Sequence, residues 1–87
     1  LPVDCLKIDG QFVKNMCSDP IDQSMVEAIH RVGHVMGLKT IAEFVEDEET
    51  LVLLRKMGVD YAQGWSLHRP ELLIGTELPP QPTRQAV

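Results

Sequence analysis

Gly37-Leu38-Lys39-Thr40-Ile41-Ala42-Glu43, residues 37–43, is the stretch on which the fold turns. A glycine that can stop a helix is followed at once by a short, β-branched and mostly apolar run that ends in a carboxylate. Side chains alternate across a strand, so Lys39, Ile41 and Glu43 share one side and Thr40 and Ala42 the other. The same reading holds upstream and downstream. In residues 3–9, Val3, Cys5, Lys7 and Asp9 face one way, while Leu6 and Ile8 face the other, where they suit packing under helices. In residues 59–63 the row is Val59, Tyr61 and Gln63. Each strand therefore delivers a polar or ionisable group at its exit. In a parallel barrel the strand interiors bury apolar side chains, and the groups that do chemistry project from the C-terminal strand ends and the loops after them.

The segments between these strands are helical in pattern. Ser18, Asp19 and Pro20 mark a helix start, with a capping side chain and a proline in the first turn. Met25, Val26, Ile29, Val32 and Met36 then recur at helical spacing and predict the stripe that packs on the sheet, and Gly37 ends that helix. Asp47 caps a second helix with an acidic first turn. Leu51, Leu54 and Met57 form its expected buried row, and Gly58 stops it. The order is β-α-β-α-β with short connections, which implies an α/β fold with parallel strands and right-handed crossovers. Met36-Gly37-Leu38 leading to Glu43 and Met57-Gly58-Val59 leading to Gln63 repeat one helix-stop-strand unit. Beyond Gly64, Trp65, Leu67 and Pro70 precede Leu72–Ile74, expected to form one helical turn. Residues 76–87, with Pro79, Pro80 and Pro82, are expected to be a mobile tail.

Composition narrows the function classes. Eighty-seven residues with 44% hydrophobic and 24% charged content suit one small globular domain. A net charge of -5 and a pI near 5.0, with no Lys/Arg cluster, argue against binding of DNA or RNA through the phosphate backbone. Apolar runs fall far short of a membrane span, and no basic segment leads into a signal-like apolar one, so a cytoplasmic location is expected. The chain opens directly into a strand without an initiator methionine, which suggests part of a longer protein. Cys5 and Cys17 lack CxxC or His-rich company, and Cys5 reads as a small strand residue.

Leu6-Lys7-Ile8-Asp9, then Ile41-Ala42-Glu43-Phe44-Val45-Glu46, then Tyr61-Ala62-Gln63-Gly64-Trp65 with Arg69-Pro70 nearby, resemble in order the motifs in the C-terminal third of the EAL family of bacterial cyclic di-GMP phosphodiesterases. The resemblance covers residues 1–73. It implies the last three strands of a (β/α)8 TIM-type barrel, in a partial domain over residues 1–75, and a parent enzyme that hydrolyses cyclic di-GMP to linear pGpG at a centre of two Mg²⁺ or Mn²⁺ ions. By the same resemblance, Lys7 matches a lysine that contacts the attacking water. Glu43 matches a glutamate proposed as metal ligand or general base, and Gln63 a glutamine that holds water or metal-bound groups. Asp9 and Glu46 match acidic positions that support or border the site. The chemistry is coherent, because Mg²⁺ and Mn²⁺ take oxygen ligands, and bound metal lowers the pKa of water and neutralises a phosphodiester. The family commonly has Gly where Phe44 stands and Tyr or Phe where Trp65 stands, and its remaining metal ligands belong upstream of Leu1. The fragment alone is therefore expected to be inactive and, with exposed sheet edges, to self-associate. The parent is expected to carry other signalling domains, such as GGDEF or a sensor.

Simpler readings stand beside these. Lys7 and Asp9 can pair on a solvated edge, Gln63 can be a turn residue, and Glu46 belongs to an acidic run that often marks a solvated helix start. His30 and His34 have metal-ligand spacing, yet without a third ligand near in sequence they read as helix-surface residues. Met25, Met36 and Met57 read as core fillers, and His68 and Arg69 as exposed loop residues. As to function, a non-catalytic EAL-like module that binds cyclic di-GMP or a protein partner competes with the enzyme. An unrelated barrel enzyme with a Lys7 Schiff base is a third class, which requires a desolvated lysine.

Overall fold

The computed structural model describes residues 4–64 and 71–73 in full and the backbone of residues 67–70. The order is β1 (Cys5–Ile8), α1 (Gly10–Val13), α2 (Pro20–Val35), β2 (Lys39–Ala42), α3 (Glu48–Met57), β3 (Tyr61–Gly64) and β4 (Leu67–Leu72). The strands form one sheet in the order β1-β2-β3-β4. β1 pairs parallel with β2, with Lys7 opposite Ile41 and Ile8 opposite Ala42. β2 pairs parallel with β3, with Ala42 opposite Ala62. Helices α2 and α3 form the two crossovers, as the alternating pattern predicts.

β4 departs from expectation. The stretch before Leu72 is a strand that returns antiparallel along β3, with an irregularity between Ala62 and Gly64, where a helical turn over Leu72–Ile74 was predicted. Once the chain turns back beside β3, the open edge of that strand supplies backbone partners that an isolated helical turn lacks. Residue 74 and the expected tail, residues 76–87, lie outside the described residues, as do Trp65 and the side chains of His68 and Arg69.

The two faces of the sheet bury different sets. Cys5, Ile41 and Tyr61, all from the predicted inward row, cluster on one face with Leu72 against them. Ile8, Ala42 and Ala62 sit on the other face beneath the helices, with Val13, Met16, Val26, Ile29, Leu54 and Val59. Burial pushes the Cys5 thiol pKa up, and the nearby Asp60 and Asp4 carboxylates add to the shift.

The helix ends follow their sequence signals. The Asp19 carboxylate accepts from the N–H groups of Ile21 and Asp22 with Pro20 in the first turn. Asp47 accepts from the Thr50 N–H at 2.8 Å, and Gly58 closes α3 at φ 89°.

The buried face of α2 is rotated from the predicted stripe. Val26, Ile29, His30 and Gly33 are buried, whereas Met25 (39% exposed), Val32 and Met36 (61% exposed) face outward. Met25 and Met36 are thus not core fillers, and the fully buried methionine is Met16. Gly33 sets the rotation: a Cβ there would lie 3.0 Å from the Thr40 methyl and 3.2 Å from Leu6. The helix comes closest to the sheet at its smallest residue.

Candidate active site

Lys7, Glu43, Glu46 and Gln63 converge at the C-terminal ends of β1–β3, where they line a cavity of about 560 Å³ together with Lys14, Phe44 and Gly64. Strand pairing builds this convergence. The Glu43 N–H donates to the Ile8 carbonyl at 3.2 Å and the Val45 N–H to the Gln63 carbonyl at 3.0 Å, so the ladder continues past the end of β2. Gly64 permits the second contact, because a Cβ there would overlap the Val45 carbonyl. Lys7 and Glu43 form an ion pair at 3.9 Å, each about a quarter exposed. The lysine thus faces a carboxylate rather than a dry apolar pocket, which removes the argument for an amine held neutral as a Schiff-base nucleophile.

Gln63 supplies the most telling atom. Its Oε1 is buried and has no hydrogen-bond partner among the described residues, a costly state for a carbonyl oxygen. That oxygen and the Glu43 and Glu46 carboxylates are all hard donors, the type that Mg²⁺ and Mn²⁺ select. The residues present fit such an ion.

Asp9 stands apart from the cavity. Its carboxylate accepts from the Gln11 N–H at 2.9 Å and caps α1, so it reaches the site only through the turn that follows β1. At Phe44 the backbone gives the reason for the glycine usual there: φ is 59°, in the left-handed region. For a bulky residue this costs about 1–2 kcal/mol. The ring is 58% exposed at the cavity rim and lies over Gly10, where any Cβ would overlap it. Lys14 was missed by sequence reasoning, since no strand-end pattern reaches it. It follows the brief helix α1, whose C-cap it forms.

A second polar cluster occupies the opposite, N-terminal ends of β2 and β3. Asp60 Oδ2 accepts from the Thr40 N–H at 2.9 Å and the Thr40 hydroxyl at 3.3 Å and pairs with His34 Nε2 at 2.7 Å. Because the Thr40 proton is committed to Asp60, His30 Nδ1 must be the donor in its 2.8 Å bond to Thr40 Oγ1. Burial, then the neighbouring His34, pushes the His30 pKa below its ordinary value. These findings correct the helix-surface reading of His30, which is buried. They also supply the third group, Asp60, that sequence proximity did not reveal. A signal was present: alternation puts Thr40 and Asp60 on the helix-facing row, opposite two histidines one turn apart.

A family model for the EAL domain matches residues 1–70, and the chain belongs to that family. Cyclic di-GMP phosphodiesterase PdeB of Shewanella oneidensis is 48% identical over 73 residues, 84% of this chain and 8% of the relative. Cyclic di-GMP phosphodiesterase PdeA of Borreliella burgdorferi is 42% identical over 71 residues, 82% and 11% respectively. Among solved structures, the c-di-GMP complex of the PaMucR phosphodiesterase matches with TM-score 0.70 and 38% identity, over 83% of this chain and 29% of that one. The EAL domain of Mycobacterium smegmatis DcpA matches with TM-score 0.69 and 41% identity, over 84% and 33%. The chain spans roughly a tenth of the two curated relatives. No helix among the described residues is long and apolar enough to cross a membrane.

Proposed function

We propose that this chain forms the last three parallel strands of a (β/α)8-type EAL barrel, in a partial domain over residues 1–75, whose complete protein hydrolyses cyclic di-GMP to linear pGpG. The observation that carries the reading is the convergence of Lys7, Glu43 and Gln63 on one cavity, with the Gln63 Oε1 left without a partner. Names and complexes of the relatives supply the substrate, since PdeB and PdeA are cyclic di-GMP phosphodiesterases and the PaMucR structure holds c-di-GMP.

In this reading Glu43, Glu46 and Gln63 hold Mg²⁺ or Mn²⁺ together with ligands from upstream strands. Bound metal supplies an acidified water and neutralises phosphodiester charge. Glu43 accepts the proton of the attacking water or holds a cation, and Lys7, 3.9 Å from that carboxylate, orients the water and balances negative charge. Gln63 accepts a hydrogen bond or ligates through Oε1. Lys14 places a second cation on the rim, where it meets a phosphate oxygen. Asp9 takes a supporting role through α1. By the same reading the isolated 87 residues are inactive and, with β1 and β4 at the two ends of the described strand order, self-associate.

The test uses the complete protein with Mg²⁺ or Mn²⁺ and cyclic di-GMP. Glu43→Ala is expected to lower turnover by about 10²–10⁴-fold, and Lys7→Met to lower it as well. Unchanged turnover in Glu43→Ala removes that residue from the mechanism. Tight cyclic di-GMP binding without any turnover in the parent favours the non-catalytic module. Metal-dependent cleavage by the 87 residues alone overturns the inactive-fragment reading.

A further inference from the structure

We propose that His30, His34 and Asp60 form a zinc site at the N-terminal end of the sheet, separate from the cavity at the strand exits. One ring nitrogen from each histidine and one carboxylate oxygen lie within 4.8 Å of one another. Two imidazoles and a carboxylate are the ligand set of a three-residue Zn²⁺ site, which leaves a fourth position for water. The softer nitrogen donors separate this site from the all-oxygen donors beside Glu43.

Three features of the fold support a cation here. His30 and His34 stand one turn apart near the end of α2, so both rings project toward one spot, with centroids 4.2 Å apart. His30 is fixed by its 2.8 Å bond to the Thr40 hydroxyl, and Thr40 in turn bonds Asp60. An outer partner of this kind orients a ligating imidazole and sets its tautomer. His34, with a side chain 44% exposed, gives an ion a path from solvent, while His30 and Asp60 hold the buried side. The 2.7 Å His34–Asp60 contact has to open by less than about 1 Å for tetrahedral bonds of ~2.0–2.1 Å. Zn²⁺ then bonds the lone pair of His34 Nε2, and the neutral ring carries its one proton on Nδ1. Such an ion ties the C-terminal half of α2 to the start of β3, with Thr40 of β2 as its outer partner.

The experiment is calorimetric titration of Zn²⁺ into the complete, chelator-stripped protein at saturating Mg²⁺, beside His30→Gln, His34→Gln and Glu43→Gln variants. His34→Gln keeps an N–H that can donate to Asp60, so loss of binding there is not loss of the fold; circular dichroism checks each variant. One Zn²⁺ per chain is expected, weakened roughly tenfold or more in both histidine variants and unchanged in Glu43→Gln, with a thermal midpoint raised by Zn²⁺ only where the histidines are present. Tetrahedral Co²⁺ absorption that vanishes in His34→Gln gives an independent readout. Absence of Zn²⁺ binding, or binding that follows Glu43 instead of the histidines, overturns the site and leaves a metal-free hydrogen-bonded network.

Discussion

Replacing Thr40 by valine removes one hydroxyl and changes almost nothing in shape. The residue is fully buried, and its oxygen is the acceptor for His30 Nδ1 at 2.8 Å and for the Asp60 N–H at 3.4 Å, as well as the donor to Asp60 Oδ2. Valine orphans two buried donors, while Asp60 Oδ2 keeps the Thr40 N–H and His34. At about 1–3 kcal/mol for an orphaned buried group, and with the longer bond counted near the bottom of that range, the loss is about 2–4 kcal/mol. Urea unfolding of the complete EAL domain, followed by circular dichroism, then has a midpoint about 1 M lower for an m value near 3 kcal/mol/M. Thr40→Ser is the control. It keeps the hydroxyl and loses the methyl that packs on Gly33, for about 1 kcal/mol. The ordering decides the matter: if serine destabilises more than valine, packing against α2 holds this corner together and the hydrogen-bond argument is wrong.

Two further outcomes follow from single contacts. Gly10→Ala drives a methyl group into the Phe44 ring and is expected to cost about 1–3 kcal/mol; in the Phe44→Gly background the same change becomes nearly neutral, and a double-mutant-cycle coupling below about 0.5 kcal/mol would contradict the overlap. Hydrogen bonds from Thr50, from its hydroxyl first and then its N–H, hold the Asp47 carboxyl below its ordinary pKa. This favours the native state above the ordinary carboxylate pKa, an advantage lost as pH falls through the lowered native value. The acid-side decline of the thermal midpoint should therefore be shallower in Asp47→Asn than in wild type, and parallel curves would remove Asp47 from that decline.

Sequence periodicity reached the strand rows because each is a two-residue repeat that ends in a polar side chain: Cys5 and Lys7, Ile41 and Glu43, Tyr61 and Gln63. Local chemistry also reached the caps at Asp19 and Asp47, where one side chain satisfies the first N–H groups of its own helix. The rest needed three-dimensional partners. β4 carries Pro70 in an unalternating stretch, and only the open edge of β3 makes it a strand. The rotation of α2 hinges on Gly33, whose missing side chain sends no hydrophobic signal although it sets the closest approach to Thr40. Asp60 lies far from His30 and His34 along the chain, so their meeting waits on β3 packing beside β2. The left-handed backbone at Phe44 is likewise invisible in the residue's name.

Phe44 and Gly10 also carry a historical constraint. A ring at position 44 and any Cβ at position 10 compete for the same volume, so the two substitutions are not interchangeable in order. A lineage with glycine at 44 acquires phenylalanine there without a clash only after position 10 has become glycine. Once the ring is in place, position 10 is locked until the ring is lost. A side chain at position 10 thus leaves no room for this ring at position 44, and the pair acts as an epistatic ratchet at the rim of the cavity.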